Sequence, residues 1–207
     1  MKGPLVLGVF ASGRGSNLEA ILEAIEAGKL PARVAVVLSD RPEAPALEKA
    51  RRRGIPGLAV LPGDFPSRQV YEERLVEICR QHGVELVVLA GFMRLLGPTF
   101  LSAYRHRVMN IHPALLPSFP GLHAQEQAVR YGVRFSGCTV HFVDEGMDTG
   151  PIILQAVVPV EQDDTPETLA ARILVEEHRL YPEAIRLYAE GRLRIEGRRV
   201  LIAPPER

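Results

Sequence analysis

The chain has 207 residues, 46% of them hydrophobic, and balances 25 lysines and arginines against 25 aspartates and glutamates. That length supports one sizeable core and a single domain over 1–207, and the zero net charge argues against a broad nucleic-acid footprint. No apolar run reaches membrane-spanning length, Met1-Lys2-Gly3-Pro4 lacks the layout of a signal peptide, and Cys79 and Cys138 form no Cys-x-x-Cys motif. A cytoplasmic protein with two core thiols and no zinc site is expected.

Leu5–Phe10 is an apolar run of strand length, and Ala11-Ser12-Gly13-Arg14-Gly15-Ser16-Asn17 turns it into a helix with Leu18, Ile21, Leu22 and Ile25 on one face. Ser16 and Glu19 fit a capping box, and Gly28 can end the helix. A strand, a glycine-rich turn and a helix N-terminus offer free N–H groups to a phosphate; a turn needed only for tight packing is the plainer alternative. The Walker and dinucleotide fingerprints both fail, the first at Arg14-Gly15 and the second at Leu18.

A strand is expected over 33–38, a helix over 42–53 stopped by Gly54, and a short strand over 57–61. Asp40 follows the second strand, near the place of a ribose-binding acid, so a nucleotide-dependent oxidoreductase stands as a contrasting class. Residues 67–82 have helical periodicity, with Arg68 in the first turn as a solvated charge. Leu86–Ala90 has the composition of a strand buried on both faces, and Gly91-Phe92-Met93-Arg94-Leu95-Leu96 leaves its carboxyl end, where core packing would account for Met93, Leu95 and Leu96.

An extended run over 106–111 leads into Pro113, Pro117 and Pro120, which impose a rigid loop. Asn110 and His112 lie two apart and so share a face, pairing an amide donor with an imidazole that titrates near neutrality. That pair suits acyl transfer, although both side chains could equally bond neighbouring backbone. A helix is expected over 123–131 with His123 as its cap or, as the second choice, a further site imidazole, then a half-buried strand over 135–142 in which His141 is structural. Asp144–Pro151 is an acidic turn-rich loop before a strand over 152–158. Thr165 and Pro166 open a helix toward Tyr181, 183–190 form more helix, and 192–202 a small hairpin around Gly197.

Asn110-Ile111-His112-Pro113, with Leu115-Leu116-Pro117 and Pro120-Gly121 after it, resembles the signature of the formyltetrahydrofolate-using transferases. The resemblance runs from Gly15-Ser16-Asn17 to Glu177 and implies a doubly wound, mostly parallel open α/β sheet with helices on both faces and a Rossmann-like amino-terminal half. On this resemblance residues 1–100 hold phosphate and substrate, and 101–207 carry catalysis and folate binding. Asn110, His112 and Asp148 would be catalytic, and Gly15, Ser16, Asn17 and Glu177 would hold a phosphorylated ribose substrate. Arg68, Met93, Arg94, Leu95, Leu96, Asn110, Asp144, Glu145, Gly146, Met147 and Asp148 would line the folate. Leu174 departs from the polar residue of some relatives.

Three activities share the signature: formylation of glycinamide ribonucleotide, formylation of methionyl-tRNA, and hydrolysis of formyltetrahydrofolate. The chain length leaves no room for the added domains of the latter two, so the expected reaction passes formyl from 10-formyltetrahydrofolate to glycinamide ribonucleotide. Two small-molecule substrates, no metal, no nucleic acid, no membrane, and a monomer or homodimer complete the expectation. The alternatives are a deformylase and the oxidoreductase.

Overall fold

A computed structural model describes residues 3–205; Met1 and Lys2, the first residues of the expected leaderless start, lie outside them. The fold is α/β with a mostly parallel sheet flanked by helices, as expected. The chain divides into two compact units, with the boundary after Met109.

In the first unit, strands β1 (Leu5–Phe10), β2 (Ala32–Ser39), β3 (Gly57–Ala59) and β4 (Leu86–Leu89) alternate with helices α1 (Ser16–Glu26), α2 (Pro45–Arg52), α3 (Arg68–Gln81) and α4 (Pro98–Ala103). The strand order is β3-β2-β1-β4, and neighbours are parallel throughout. Valine- and leucine-rich strands suit this arrangement because helices cover both faces, so no polar alternation is needed. Phe10 is fully buried and meets Phe92 and Phe100 edge-on at 5.4 and 5.5 Å; Phe100 in turn stacks on Tyr104. This cluster fastens α4, a helix the periodicity does not announce because it is only six residues long. Two loops leave the carboxyl ends of β1 and β4, the usual place for ligands in an open α/β sheet.

The second unit holds most of β5 (Val108–His112), α5 (Ala124–Tyr131), β6 (Phe135–Phe142), β7 (Ile152–Pro159), α6 (Pro166–Ala189), β8 (Leu193–Glu196) and β9 (Arg199–Ile202). Strands β6 and β7 are antiparallel, β9 runs parallel to β7 through the single pair Ile152–Arg199, and β8 closes an antiparallel hairpin on β9. The expectation of a half-buried β6 is corrected: after the exposed Phe135 every residue is buried, the polar Ser136, Thr139 and His141 among them.

Helix α6 is one helix of 24 residues with Pro182 inside it, where two pieces were expected. Leu180, Tyr181, Ala184, Ile185 and Leu187 are all buried around the proline, and their packing outweighs the roughly 3 kcal/mol that proline costs a helix interior. At its start Thr165 and Thr168 form a reciprocal capping box.

Candidate active site

In the first unit, Gly15 is the N-cap of α1 and adopts the left-handed conformation at φ 73°, with Ser16 already helical. The expected Ser16–Glu19 capping box therefore does not form, and no side chain caps this helix among the described residues. The first N–H groups of a helix have no intrahelical acceptor, so this end of α1 is where a helix offers backbone donors. Tight packing also applies: a β-carbon at position 15 would lie 2.8 Å from the Ala46 methyl of α2. Glycine is required there on two counts, whatever the turn binds.

Asp40 is occupied within its own unit. Ser12 Oγ donates to Asp40 Oδ1 at 2.5 Å and accepts from the Met93 N–H at 2.9 Å, while Arg94 Nε donates to Asp40 Oδ2 at 3.0 Å. The carboxylate thus ties the loop after β4 to the ends of β1 and β2, which leaves the oxidoreductase reading without its ribose acid. Leu96 is core, but Met93 and Leu95 are 58% and 56% exposed, so core packing does not account for them. Arg68 is not merely solvated. Its Nε donates to Glu72 and its Nη2 to the Leu95 carbonyl, at 2.9 and 2.8 Å.

In the second unit, β5 and β6 bring Asn110, His112 and His141 together with Asp148. His112 Nε2 lies 2.8 Å from the Phe119 carbonyl. A carbonyl can only accept, so Nε2 carries a proton. The other ring nitrogen, Nδ1, lies 3.5 Å from Asp148 Oδ2, near enough for charge attraction and beyond an ordinary hydrogen bond. Asp148 itself is fixed: it takes a left-handed φ of 54°, and Oδ2 accepts from the Gly121 N–H at 2.7 Å.

His141 orients Asn110 by the same logic. Its Nδ1 donates to the Phe142 carbonyl at 2.9 Å, leaving Nε2 bare in the neutral ring, and that nitrogen lies 3.3 Å from Asn110 Nδ2. The amide nitrogen must be the donor, so one of its two hydrogens points at His141 and the second is free to serve elsewhere. Burial pushes the His141 pKa down; the Phe142 hydrogen bond and the Asp148 charge, 3.9 Å away, oppose this and do not overcome it. Neutral His141 is therefore the resting form.

The loop between β5 and α5 is held by Thr139, whose Oγ1 donates to the Ala114 carbonyl at 2.7 Å and accepts from the Leu116 N–H at 3.1 Å. His123 precedes α5 in a left-handed conformation and makes no side-chain cap. Between β6 and β7, Asp144 Oδ1 accepts from the Gly146 N–H and from Thr149 Oγ1, and Glu145 and Met147 are exposed. Arg198, in the turn of the β8–β9 hairpin, donates to the Thr149 carbonyl at 2.8 Å, next to Asp148. Glu177 is 7% exposed, a carboxylate buried in α6 and not part of a solvated face, and Leu174 beside it is half-buried. Cys79 and Cys138 are free, buried thiols, and burial pushes both up to about 12.

A family model described as formyl transferase matches residues 6–185. The chain belongs to the formyl transferase family. It is 47% identical to the phosphoribosylglycinamide formyltransferase of Bacillus subtilis, over 86% of this chain and 91% of that one. It is also 48% identical to the trifunctional purine biosynthetic protein adenosine-3 of Drosophila pseudoobscura, of which it spans 14% while 90% of this chain is covered. Among solved structures, glycinamide ribonucleotide transformylase 1 from Symbiobacterium toebii superposes with a TM-score of 0.96 at 56% identity, over 97% of this chain and 95% of that one. A formyltetrahydrofolate deformylase from Pseudomonas syringae shares the fold at a TM-score of 0.89, with 27% identity over 97% of this chain and 66% of its own.

Within this formyl transferase, Asn110, His112 and Asp148 meet in one cluster of the second unit, and Glu177 is buried in α6. Gly15, Ser16, Asn17, Arg68 and Met93–Leu96 belong to the first unit. His141 carries more of the cluster than sequence reasoning allowed it. The available signal was its alternation with Thr139: two polar side chains on one face of a strand whose other face is apolar mark a polar wall.

Proposed function

We propose that this chain transfers the formyl group of 10-formyltetrahydrofolate to the amine of 5'-phosphoribosylglycinamide, giving formylglycinamide ribonucleotide and tetrahydrofolate in purine biosynthesis. The observation that carries this reading is the likeness to the Bacillus subtilis phosphoribosylglycinamide formyltransferase along nearly its whole length. The Asn110–His141 and His112–Asp148 pairs supply the chemistry that such a transfer needs. The family match crosses the boundary between the two units, which supports treating them as one formyltransferase domain. In this reading the enzyme is cytoplasmic, a monomer or homodimer, and acts on two small molecules without metal, membrane or nucleic acid.

Attack of the amine on the formyl carbon forms a tetrahedral intermediate with a negative oxygen and a surplus proton on the attacking nitrogen. The departing folate nitrogen must gain a proton. Asn110 donates its second amide hydrogen to the oxyanion, and His141 holds the amide the right way round. His112 bonds the Phe119 carbonyl through Nε2–H and faces Asp148 with Nδ1. With Nδ1 3.5 Å from Asp148 Oδ2, His112 is placed to stabilise the oxyanion and to pass a proton toward the leaving nitrogen. Asp148 acts through His112.

Gly15, Ser16 and Asn17 are the groups assigned to the substrate phosphate, by helix N-terminal N–H donation, and Glu177 to its ribose. Arg68, Met93–Leu96 and Asp144–Asp148 are assigned to the folate. Mixing the protein with formylfolate, with and without the ribonucleotide, tests the reading. Tetrahydrofolate release that depends on the ribonucleotide is expected, whereas equal release without it makes the protein a hydrolase.

A further inference from the structure

Glu72 is a buried carboxylate on α3, 3% exposed, and it accepts three hydrogen bonds. Oε1 takes the Gly97 N–H at 2.7 Å and Arg68 Nε at 2.9 Å, and Oε2 takes the Phe100 N–H at 3.1 Å. Gly97 and Phe100 are the N-cap and third residue of α4, so a side chain 25 residues upstream caps this helix in place of a local one. Arg68 then reaches past Glu72 to the Leu95 carbonyl. The backbone from Leu95 to Gly97 is thereby gripped at a carbonyl and at an N–H by one ion pair, while Arg68 stays 61% exposed.

Gly97 adds an independent observation. Its φ of −98° is open to any residue, so its backbone conformation does not call for glycine. Its surroundings do. A β-carbon there would lie 2.7 Å from Glu72 Oε1, 2.9 Å from Arg68 Nη2 and 3.0 Å from Arg68 Cζ. All three atoms sit at the ends of flexible side chains, so a methyl would displace the ion pair and leave the backbone in place.

We propose that Glu72 and Gly97 are positioning residues of the formylfolate site. The carboxylate locks the Leu95–Gly97 backbone and aims Arg68, and the bare α-carbon at 97 lets the pair lie over that backbone. This rests on the assignment of Arg68 and Met93–Leu96 to the folate. Two large apolar side chains, Met93 and Leu95, stand exposed on a segment whose backbone is fixed beforehand by Ser12 on one side and the Arg68–Glu72 pair on the other. A ligand that lands there meets a surface already ordered, and it avoids the entropy cost of ordering it.

The test uses Gly97→Ala and Glu72→Gln, with KM for each substrate, kcat, circular dichroism, and the Kd of the stable donor analogue 10-formyl-5,8-dideazafolate. In Glu72→Gln the side-chain amide would face the same three donors with one acceptor oxygen and an N–H₂ group of its own. Both variants should raise the donor KM and the analogue Kd about fivefold, roughly the worth of one net hydrogen bond, with the ribonucleotide KM unchanged. Adding Gly97→Ala to Arg68→Ala should raise the donor KM no further than Arg68→Ala alone, since both act on one contact. If Glu72→Gln fails to fold, Gly97→Ala carries the test by itself. A folded Gly97→Ala enzyme with unchanged donor KM and Kd overturns the positioning role and leaves the transferase reading intact. Wild-type protein that neither binds the analogue nor releases tetrahydrofolate overturns both.

Discussion

Replacing His141 with Phe separates an orienting histidine from a reacting one. The ring stays roughly the same size inside its buried place in β6, but both nitrogens are lost. Two contacts go with them: the 2.9 Å bond to the Phe142 carbonyl and the 3.3 Å contact with Asn110 Nδ2. The first loss leaves a carbonyl without its donor, which costs about 1–3 kcal/mol of stability and is read as a lower denaturation midpoint. The second frees the Asn110 amide to turn over. A neutral hydrogen bond is worth about 1 kcal/mol net, or about fivefold in the ratio of the two orientations, so kcat should fall about two- to fivefold, with KM values little changed. Outright loss of the amide in Asn110→Ala should cost about 10²-fold or more, as for an oxyanion donor.

The pH dependence follows from the same contact. Burial lowers the His141 pKa, so the neutral acceptor persists below the ordinary value near 6.5 and is lost only as pH falls through the depressed folded value. Protonation then turns Nε2 into a donor facing another donor. The unfolded chain binds that proton more readily, so this group's contribution to stability also falls as pH drops from about 6.5 toward the folded value. His141→Phe should lack both acid limbs. Steady-state kinetics and urea melts across pH 4.5–8 read them. The reasoning is refuted if folded His141→Phe keeps full kcat, or if it loses as much as Asn110→Ala.

His112→Ala should lower kcat by about 10²-fold with substrate binding largely kept, measured by steady-state kinetics, and near-normal turnover would remove it from the chemistry. The phosphate assignment is best probed with Ser16→Glu, because any side chain at Gly15 would strike Ala46 regardless of ligand; the ribonucleotide KM should rise while the donor KM holds. Cys79→Ala and Cys138→Ala should both stay active, and mass spectra of enzyme plus donor should show no formyl adduct, since thiols pushed up to about 12 hold almost no thiolate at neutral pH.

The parallel α/β character was legible because uninterrupted apolar runs such as Leu86–Leu89 alternate with helical periods, and that pattern depends only on which faces are covered. Thr165-Pro166 marked the start of α6 for an equally local reason. Local rules failed where tertiary packing decided. Pro182 should have ended a helix that buried neighbours hold together, and Ser16 should have capped a helix that Gly15 begins instead. Asn110 and His112 could be paired from strand alternation, but Asp148 and His141, the latter 31 residues from Asn110, arrive from another strand and its loop, past a register shift between Val140 and His141 that no sequence pattern announces. Glu72 was invisible for the same reason: a carboxylate on a helix looks solvated until its acceptors are seen to be filled by another helix.

The β8–β9 hairpin lies beyond the stretch matched by the family model, and its ladder touches β7 through one residue pair. Backbone with so thin an attachment is expected to open far more often than the strands beside it, and its amides should exchange with deuterium first. Arg198 gives that opening a reach beyond the hairpin. Each time the turn swings away, the Thr149 carbonyl loses its donor, and the left-handed Asp148 next to it loses a restraint on the segment that keeps its carboxylate against Gly121. The breathing of the β8–β9 hairpin thus becomes a clock for Asp148. Slow exchange at residues 193–202 and a well-ordered Asp148 should rise and fall together as temperature or denaturant is varied.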